Sequence, residues 1–490
     1  MKHFRTYNPD QILLLPPSIQ DWLPENHLSR FILEVVDMLD LSAILRVYER
    51  GDGRGQPPYH PAMMVALLLY GYCIGVFSSR KIEDATYTDV AFRMLAAGQH
   101  PDHASIAEFR RRHLKALAEL FWQVLQLCAK AGLATLGKVA IDGTKLKANA
   151  SKHKAMSYER MCQIEKKLQE EIDALLKQAE ETDAAEDAKY GSGRTGTDLP
   201  EEMKRRETRL ARIREAKAAL EEEAKERARQ KAETARAEIE KRRQEEEETG
   251  KKPKGQDPKI PDPEQARPDP KAQRNFTDPD SRIMRDGATK AFEQAYNAQA
   301  AVDKDNQIIV AALVTNEAND KQQLIPVLQA VEENTGRRPT AALADAGYFS
   351  DTAVKDKAAE TVDLYVAVGR QKHGEQTELA EGEAPEDATQ KEKMGHKLRT
   401  AEGRATYGLR KTIVEPVFGQ IKGARRIRTF SFRGQEKVGQ EWDLICLTHN
   451  LLKLFVSKVG KVRRVADASK RSRMTAPAAS SQGVLALNAA

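Results

Sequence analysis

The chain is 490 residues long, 40% hydrophobic and 31% charged. That leaves room for two to four domains with real apolar cores and long solvated stretches, and no apolar run approaches the ~18 residues of a membrane span. The formal charge of +6 is mild, but it is unevenly spread: residues 401–473 hold 17 Lys and Arg against 6 Asp and Glu, an excess of 11 that suits a polyanion. The N-terminus MKHFRTYNPDQ has no apolar signal core. The cysteines, Cys73, Cys128, Cys162 and Cys446, form no CxxC pair and read as reduced thiols of a cytoplasmic protein.

Residues 1–135 read as an all-helical N-terminal DNA-binding domain. Residues 28–45 carry apolar side chains at helical spacing. His60-Pro61 opens a helix over MMVALLLYGYCIGVF, and 78–97 is another. Ser105 with Glu108 makes a capping-box pattern ahead of a long helix reaching about Ala131. Arg110, Arg111 and Arg112 near its start suit either a helix-turn-helix-like DNA reader or the solvated face of a plain bundle.

A short strand at 137–142 opens the next unit, whose first part is 136–154. Residues 155–250 then turn to Glu, Lys, Arg, Ala and Gln. Ile164, Leu168, Ile172 and Leu175 form one apolar stripe, Leu210, Ile213, Leu220 and Ala224 another, and YGSGRTGTDLPEE between them breaks the helix. This predicts an inserted antiparallel helical hairpin with a coiled-coil-like seam, whose mixed charges favour protein contact over DNA contact. A Pro- and Lys-rich linker, 251–274, reads as stiff and extended. Strand character returns in 275–460. AYNAQAAVD and QIIVAALVT form two strands around a turn, 319–334 a helix, AALADAGY a buried strand reaching Asp345, 351–360 a helix, and DLYVAVG a strand. A polar loop follows at 371–400, then a helix at 405–422 and a strong helix over WDLICLTHNLLKLFV. Residues 461–490 read as a basic, then disordered tail.

Two aspartates end short strands, Asp142 in GKVAIDGTKLKANAS and Asp345 in AALADAGY, and Glu415 lies on a later helix. Clustered carboxylates repel one another and protonate unless cations neutralise them. Oxygen ligands suit Mg²⁺ or Mn²⁺, and two such ions roughly 3.5–4 Å apart serve phosphoryl transfer. Lys145 and Lys147, just beyond Asp142, would then hold a phosphate backbone. Tyr407, Arg410, Glu415 and Lys422 give the spacing Y-x2-R-x4-E-x6-K, and Glu415 and Lys422, seven apart, would share a helical face. Arg425, Arg426 and Arg428 follow and suit phosphate contacts. HPDH (100–103), with no cysteine nearby, reads as a loop and helix cap rather than a zinc site; His449 and Trp442 read as core residues.

VAIDGTKLKANAS, ALADAGYFS and IVEPVFGQIKGARRIRTFSFRG together resemble the DDE-class transposases of bacterial insertion sequences. AYNAQAAVD, EWDLICLTHNLLKL and the N-terminal YHPAMMVALLLYGYCIGVFSSRKIE extend the resemblance over roughly residues 1–155 and 275–460. It implies an α+β or α/β fold: a ribonuclease H-like mixed-sheet catalytic core with a helical N-terminal domain and the inserted hairpin. It implies that Asp142, Asp345 and Glu415 are catalytic and bind Mg²⁺ or Mn²⁺, two ions per site. Tyr407, Arg410 and Lys422 match the family's Tyr-Arg-Glu-Lys signature, which has three residues between Arg and Glu where this chain has four. Two in-line displacements are implied: water cuts at the element's ends, and the exposed 3′-hydroxyls attack target DNA. Two ends call for a homodimer on double-stranded DNA, in the bacterial cytoplasm at the nucleoid. A metal-dependent nuclease that does not join, and a catalytically silent DNA-binding regulator, are the alternatives. The hairpin lies between the first acid and the second strand, so no insertion-domain role carries over.

Overall fold

The computed structural model describes residues 18–49, 57–190, 201–250, 255–287, 289–369, 378–385 and 387–475. Helices precede any strand: α1 (Leu28–Met38), α2 (Ser42–Glu49), α3 (Pro61–Ile74), α4 (Ser79–Thr88), α5 (Val90–Leu95), α6 (His103–Arg112) and α7 (Leu114–Lys130). Pro61 sits in the first turn of α3, where its missing N–H is not needed, and the side chain of His60 caps that turn. Apolar on all sides, α3 is buried from Met63 to Cys73. Two helices expected to be long are each divided. The segment 78–97 breaks at Asp89, whose carboxylate accepts from the N–H groups of Ala91 (2.8 Å) and Phe92 (3.1 Å) and so starts α5. The segment beginning near Ser105 breaks at His113, and its cap is Asp102, which accepts from the Ser105 N–H at 2.9 Å.

The remaining elements are β1 (Lys138–Lys147), β2 (Ala155–Ser157), α8 (Tyr158–Tyr190), α9 (Glu201–Thr249), β3 (Gln273–Asn275), β4 (Arg282–Arg285), β5 (Phe292–Asp303), β6 (Ile309–Thr315), α10 (Leu324–Thr335), β7 (Ala341–Ala344), α11 (Asp351–Val354), β8 (Asp363–Val366), α12 (Gln390–Arg399), α13 (Ala401–Gly419) and α14 (Gln435–Thr475). One mixed sheet forms the centre. β5 pairs antiparallel with β1 on one side and with β4 and β6 on the other, while β7 and then β8 add parallel to β1. The protein is therefore a mixed α/β structure with a helical N-terminal region.

α14 joins these parts. Trp442 is fully buried and donates its indole N–H to the Gln299 carbonyl of β5 at 2.9 Å. Tyr72 of α3 donates to Glu441 at 3.3 Å, and the thiols of Cys73 and Cys128 point at the Thr448 and Asn450 carbonyls. One apolar core runs unbroken from Phe31 and Leu67 through Val139 and Ile141 to Leu451. The boundary expected at residue 135 thus crosses a shared core. The reason is chemical: α3 has no polar face to show to water and must be covered by a partner on each side. Among the described residues no single helix is long and apolar enough to cross a membrane; α3 and α4 would pass that test only together, and they are bent by 98°.

The hairpin has a core of its own. Met161, Leu168 and Ile172 of α8 pack against Leu210, Ile213, Ala216 and Leu220 of α9. The pairs Tyr158–Glu221, Glu165–Arg214 and Glu171–Arg206 fall in opposite order along the two helices, so they run antiparallel. β2 and β3 pair antiparallel at the base. From Gly255 onward the linker runs back along α9, tied by Arg242 to the Gln256 carbonyl (3.0 Å) and by Lys225 to Glu264 (3.1 Å); residues 251–254 lie outside the described residues. Of the expected helix break at 190–202, residues 191–200 lie outside the described residues, while Tyr190 ends α8 and Glu201 and Glu202 open α9. In the region expected to be a loop, Thr389 and Glu392 form a capping box that starts α12; residues 371–377 lie outside the described residues. α14 continues to Thr475, well into the expected tail, of which 476–490 lie outside the described residues.

Candidate active site

The parallel ladder between β1 and β7 ends at the pair Ile141↔Ala344. The next residue on each strand is an acid, so Asp142 and Asp345 stand side by side at the carboxyl edge of two parallel strands, the edge where such sheets bind ligands. Asp142 continues β1, which bonds on to β5. Asp345 turns away and caps a short 3₁₀ turn, accepting from the Gly347 N–H at 2.8 Å. Arg410 of α13 donates to Asp142 Oδ2 at 3.0 Å. Burial pushes the Asp142 carboxyl up to about 6; Arg410 works against that, and the charges of Asp345 and Asp320 work with it.

Asp320, on the loop between β6 and α10, is a third aspartate at this edge. Its Oδ1 accepts from Asn297 Nδ2 and from Gln299 Nε2, both at 2.7 Å, and Lys145 Nζ lies 3.8 Å away. The buried Tyr348 hydroxyl donates to Gln299 Oε1, which orients that amide with its nitrogen toward Asp320. Two glycines make room for this packing. A Cβ at Gly143 would strike the Gln299 amide and lie 2.8 Å from Asn297 Oδ1 and 3.0 Å from Asp320 Oδ1. One at Gly347 would lie 3.0 Å from Asp345 Oδ1 and 3.5 Å from Asp320 Oδ2. Sequence reading missed Asp320 because it placed 319–334 in a helix, whereas α10 begins at Leu324. The available signal was a polar run, TNEANDK, directly after a strand.

Lys145 points at the acids rather than outward, and its burial lowers it below the usual lysine range. Lys422, half-buried, donates to Thr144 Oγ1 (3.1 Å) and to the Lys145 carbonyl (3.0 Å). Glu415 is exposed on α13. Between Glu415 and Lys422, α13 carries Pro416 and then passes into a π-helical turn, Gln420–Ala424. The wider turn rotates less per residue than the regular α-helix on which the seven-residue spacing was read. Tyr407 is half-buried beside the patch of Ala341, Leu343 and Tyr365.

Two of the arginines expected on phosphate are internal. Arg425 is buried, donates to Thr448 Oγ1 (2.8 Å) and the Ile445 carbonyl (3.2 Å), and is brought down by burial to about 10. Arg110 is buried, donates to the Phe77 carbonyl (2.8 Å) and the Tyr72 hydroxyl (3.1 Å), and sits over the Phe432 ring. Both lie where the N-terminal helices meet the segment after α13, and both serve as struts there. Arg111 is exposed and grips Glu108 with two bonds, while Arg112 is exposed over the Tyr48 ring. Arg426 and Arg428 are exposed, and Lys147, also exposed, lies 3.1 Å from Glu293. His449 is a core residue as expected: its ring bonds to Gln420 Oε1 and the Gln307 carbonyl, and burial pushes it down to about 3, so it is neutral.

The donors at the acid edge are all oxygens. They include Oδ1 of the fully buried Asn297, which has no hydrogen-bond partner among the described residues. An orphaned acceptor and a carboxyl destabilised by burial both favour an added cation. Among the described residues no three His, Cys, Asp or Glu side chains are gathered to hold a metal unaided. Mg²⁺, however, takes one or two carboxylates and completes its shell with water and phosphate oxygens, and Asp142 with Asp345 fits that demand.

Residues 17–112 match the family model described as "Transposase domain (DUF772)", and residues 268–451 match the one described as "Transposase DDE domain"; together the two spans cover more than half of the chain. Asp345 and Glu415 fall in the second span, and Asp142 falls between the two. Comparison with curated proteins and with solved structures gave no match.

Proposed function

Because the chain belongs to the DDE transposases of insertion sequences, we propose that it binds the terminal inverted repeats of its element and catalyses metal-dependent DNA strand cleavage followed by strand transfer. The observation that carries this reading is the side-by-side placement of Asp142 and Asp345 at the end of the β1–β7 ladder. The strand order β6-β5-β1-β7-β8, with the first three antiparallel and the last two parallel to β1, supports a ribonuclease H-like core.

We assign Asp142, Asp345 and Glu415 to catalysis and cation binding. Mg²⁺ or Mn²⁺, when bound, would activate the attacking oxygen and stabilise the leaving one. The chain's own contribution is electrostatic and positional. Asp142 and Asp345 concentrate negative charge at one point. Arg410 orients the Asp142 carboxylate and brings a cation within reach of the phosphate. Lys422 clamps β1 just beyond Asp142 by holding Thr144 and Lys145. Glu415 enters through the motif IVEPVFGQIK, on the helix that carries Arg410. Lys147, Arg426 and Arg428, with Arg111 and Arg112 on α6, are exposed cations suited to a DNA backbone. Two ends processed together call for a homodimer on DNA, and a monomeric mass in the end-bound complex would count against it.

The test is cleavage of DNA bearing the element's ends, with Mg²⁺, Mn²⁺ or chelator, by the wild type, Asp142→Ala and Glu415→Gln. Metal-dependent nicking that both variants lose while still binding DNA is the expected result. Variants that still cut would move the chemistry elsewhere, and cutting without strand transfer would reduce the protein to a nuclease.

A further inference from the structure

We infer that Asp320 is a working part of the acid site: a positioning residue that fixes the Lys145 ammonium beside Asp142 and Asp345 and adds its own charge to their pull on a divalent cation. This rests on the reading above. Asp320 reaches both glycine gaps, with Oδ1 over Gly143 and Oδ2 beside Gly347, where Asp345 Oδ1 faces it. Its Oδ1 is saturated by two amide donors and the nearby lysine, while Oδ2 is left toward Asp345. The Tyr348–Gln299–Asp320 chain of bonds sets this orientation from the core outward. Asn297 supplies the independent sign of a ligand. It is fully buried, its Oδ1 is unpartnered among the described residues, and that atom and Asp320 Oδ1 crowd the same point over Gly143. A carboxylate placed for shape alone would be poorly chosen here, because it adds repulsion to two acids already side by side.

Asp320→Asn keeps the shape and the Oδ1 acceptor for both amides, and removes the charge. Titration of the full-length protein with Mn²⁺ should show binding weakened by about 10–100-fold, with the melting temperature close to wild type and end cleavage lost in parallel. Lys145→Met leaves the amide donors of Asp320 in place and removes a positive charge. It should therefore bind Mn²⁺ severalfold more tightly and yet cut more slowly. A purely structural Asp320 would leave Mn²⁺ affinity unchanged in Asp320→Asn, or lower it only together with the melting temperature. Wild-type Mn²⁺ affinity in Asp320→Asn, when the wild type itself binds Mn²⁺ and cuts, overturns the role of Asp320 alone. A wild type that does neither overturns the parent reading, and this inference with it.

A separate observation concerns the hairpin. A cavity of about 650 Å³ at its root is lined by Lys154, Lys204, Arg209 and Arg212 over Met156 and Phe276, with no acidic side chain on its wall. Neighbouring hairpin cations are spent on acids, Arg214 and Lys217 on Glu165, whereas Lys204, Arg209 and Arg212 are exposed and have no ion-pair partner among the described residues. The geometry points to a nucleic-acid phosphate backbone as the occupant. The cavity is tied to the acid edge by one strand of chain, from Asp142 through Lys147 and Lys152 to Lys154, which spans at most about 40 Å. An acidic protein segment is the competing occupant.

The triple variant Lys204→Ala, Arg209→Ala, Arg212→Ala removes three charges outside the hairpin seam. Binding of duplex DNA to the full-length protein, followed against salt, should lose up to about 0.9 per phosphate contact from the slope of log affinity on log salt, roughly 2.7 in all. Lys204→Arg with Arg209→Lys and Arg212→Lys should restore it. An unchanged slope, with helicity intact by circular dichroism, overturns the assignment in favour of the acidic segment.

Discussion

Asp142→Asn should make the metal-free protein more stable at neutral pH while abolishing its chemistry. The carboxyl has an ordinary value of 3.8, and burial pushes it up to about 6 in the folded state. Below pH 3.8 the folded and unfolded chains both hold the proton, and the residue carries no penalty. As pH rises from there toward about 6, the unfolded chain ionises first, so the folded state loses stability; above about 6 the loss is constant. At 1.36 kcal/mol per unit, a rise of about two units corresponds to about 3 kcal/mol. The side chain is 21% exposed, so solvent screening trims that figure modestly. Asparagine stands in for the protonated acid, and the value of about 6 already includes the opposing pull of Arg410. The net gain is therefore about 2–3 kcal/mol, equivalent to a few degrees of melting temperature. Thermal unfolding with chelator should show the variant ahead at pH 7.5 and level with wild type near pH 3.5. Saturating Mg²⁺ should reverse the order, because only the wild type gains by binding it. A variant that melts below wild type at pH 7.5 in chelator would refute the burial penalty.

Gly75 has φ +83°, and a Cβ there would meet the Arg425 carbonyl oxygen at 2.5 Å. Gly75→Ala should therefore cost about 2 kcal/mol or more, and an unchanged melting temperature would deny the close backbone approach. Arg425→Ala and Arg428→Ala should separate cleanly: the first lowers thermal stability by about 2 kcal/mol or more by emptying a buried, bonded site, and the second weakens DNA binding in salt titrations without moving the melt. Ile213→Ala should destabilise the hairpin by about 2–4 kcal/mol. Because the hairpin core is separate from the main one, limited proteolysis should speed up inside 158–249 alone, and general acceleration across the chain would contradict two independent cores.

What could be read from the sequence was local. Apolar spacing marked α1, α3 and α14, the two stripes of the hairpin seam, and the strands β5, β6, β7 and β8, because burial of one face leaves its period in neighbouring residues. The same reasoning marked Asp142 and Asp345 as acids ending short strands; Asp345 does follow β7, whereas Asp142 lies midway along β1, which runs on to Lys147. Their adjacency, however, is a matter of register between β1 and β7, which are some two hundred residues apart in the chain. Interruptions were less legible: Asp89 and His113 divide helices whose apolar pattern runs straight through them. Tertiary structure alone decided the rest. Arg110 and Arg425 look like surface charge in a basic run, and became buried struts because α14 closes over α3 and α7. Lys422 lies in a π-helical turn with no periodic signature and bonds to Thr144 and Lys145 of β1. Asp320 joined the acids because a loop after β6 is pulled down onto Asn297 and Gln299. Hydrophobic periodicity records which face of an element is covered, but not which distant polar group will be brought to meet it, and the chemistry of this site depends on such meetings.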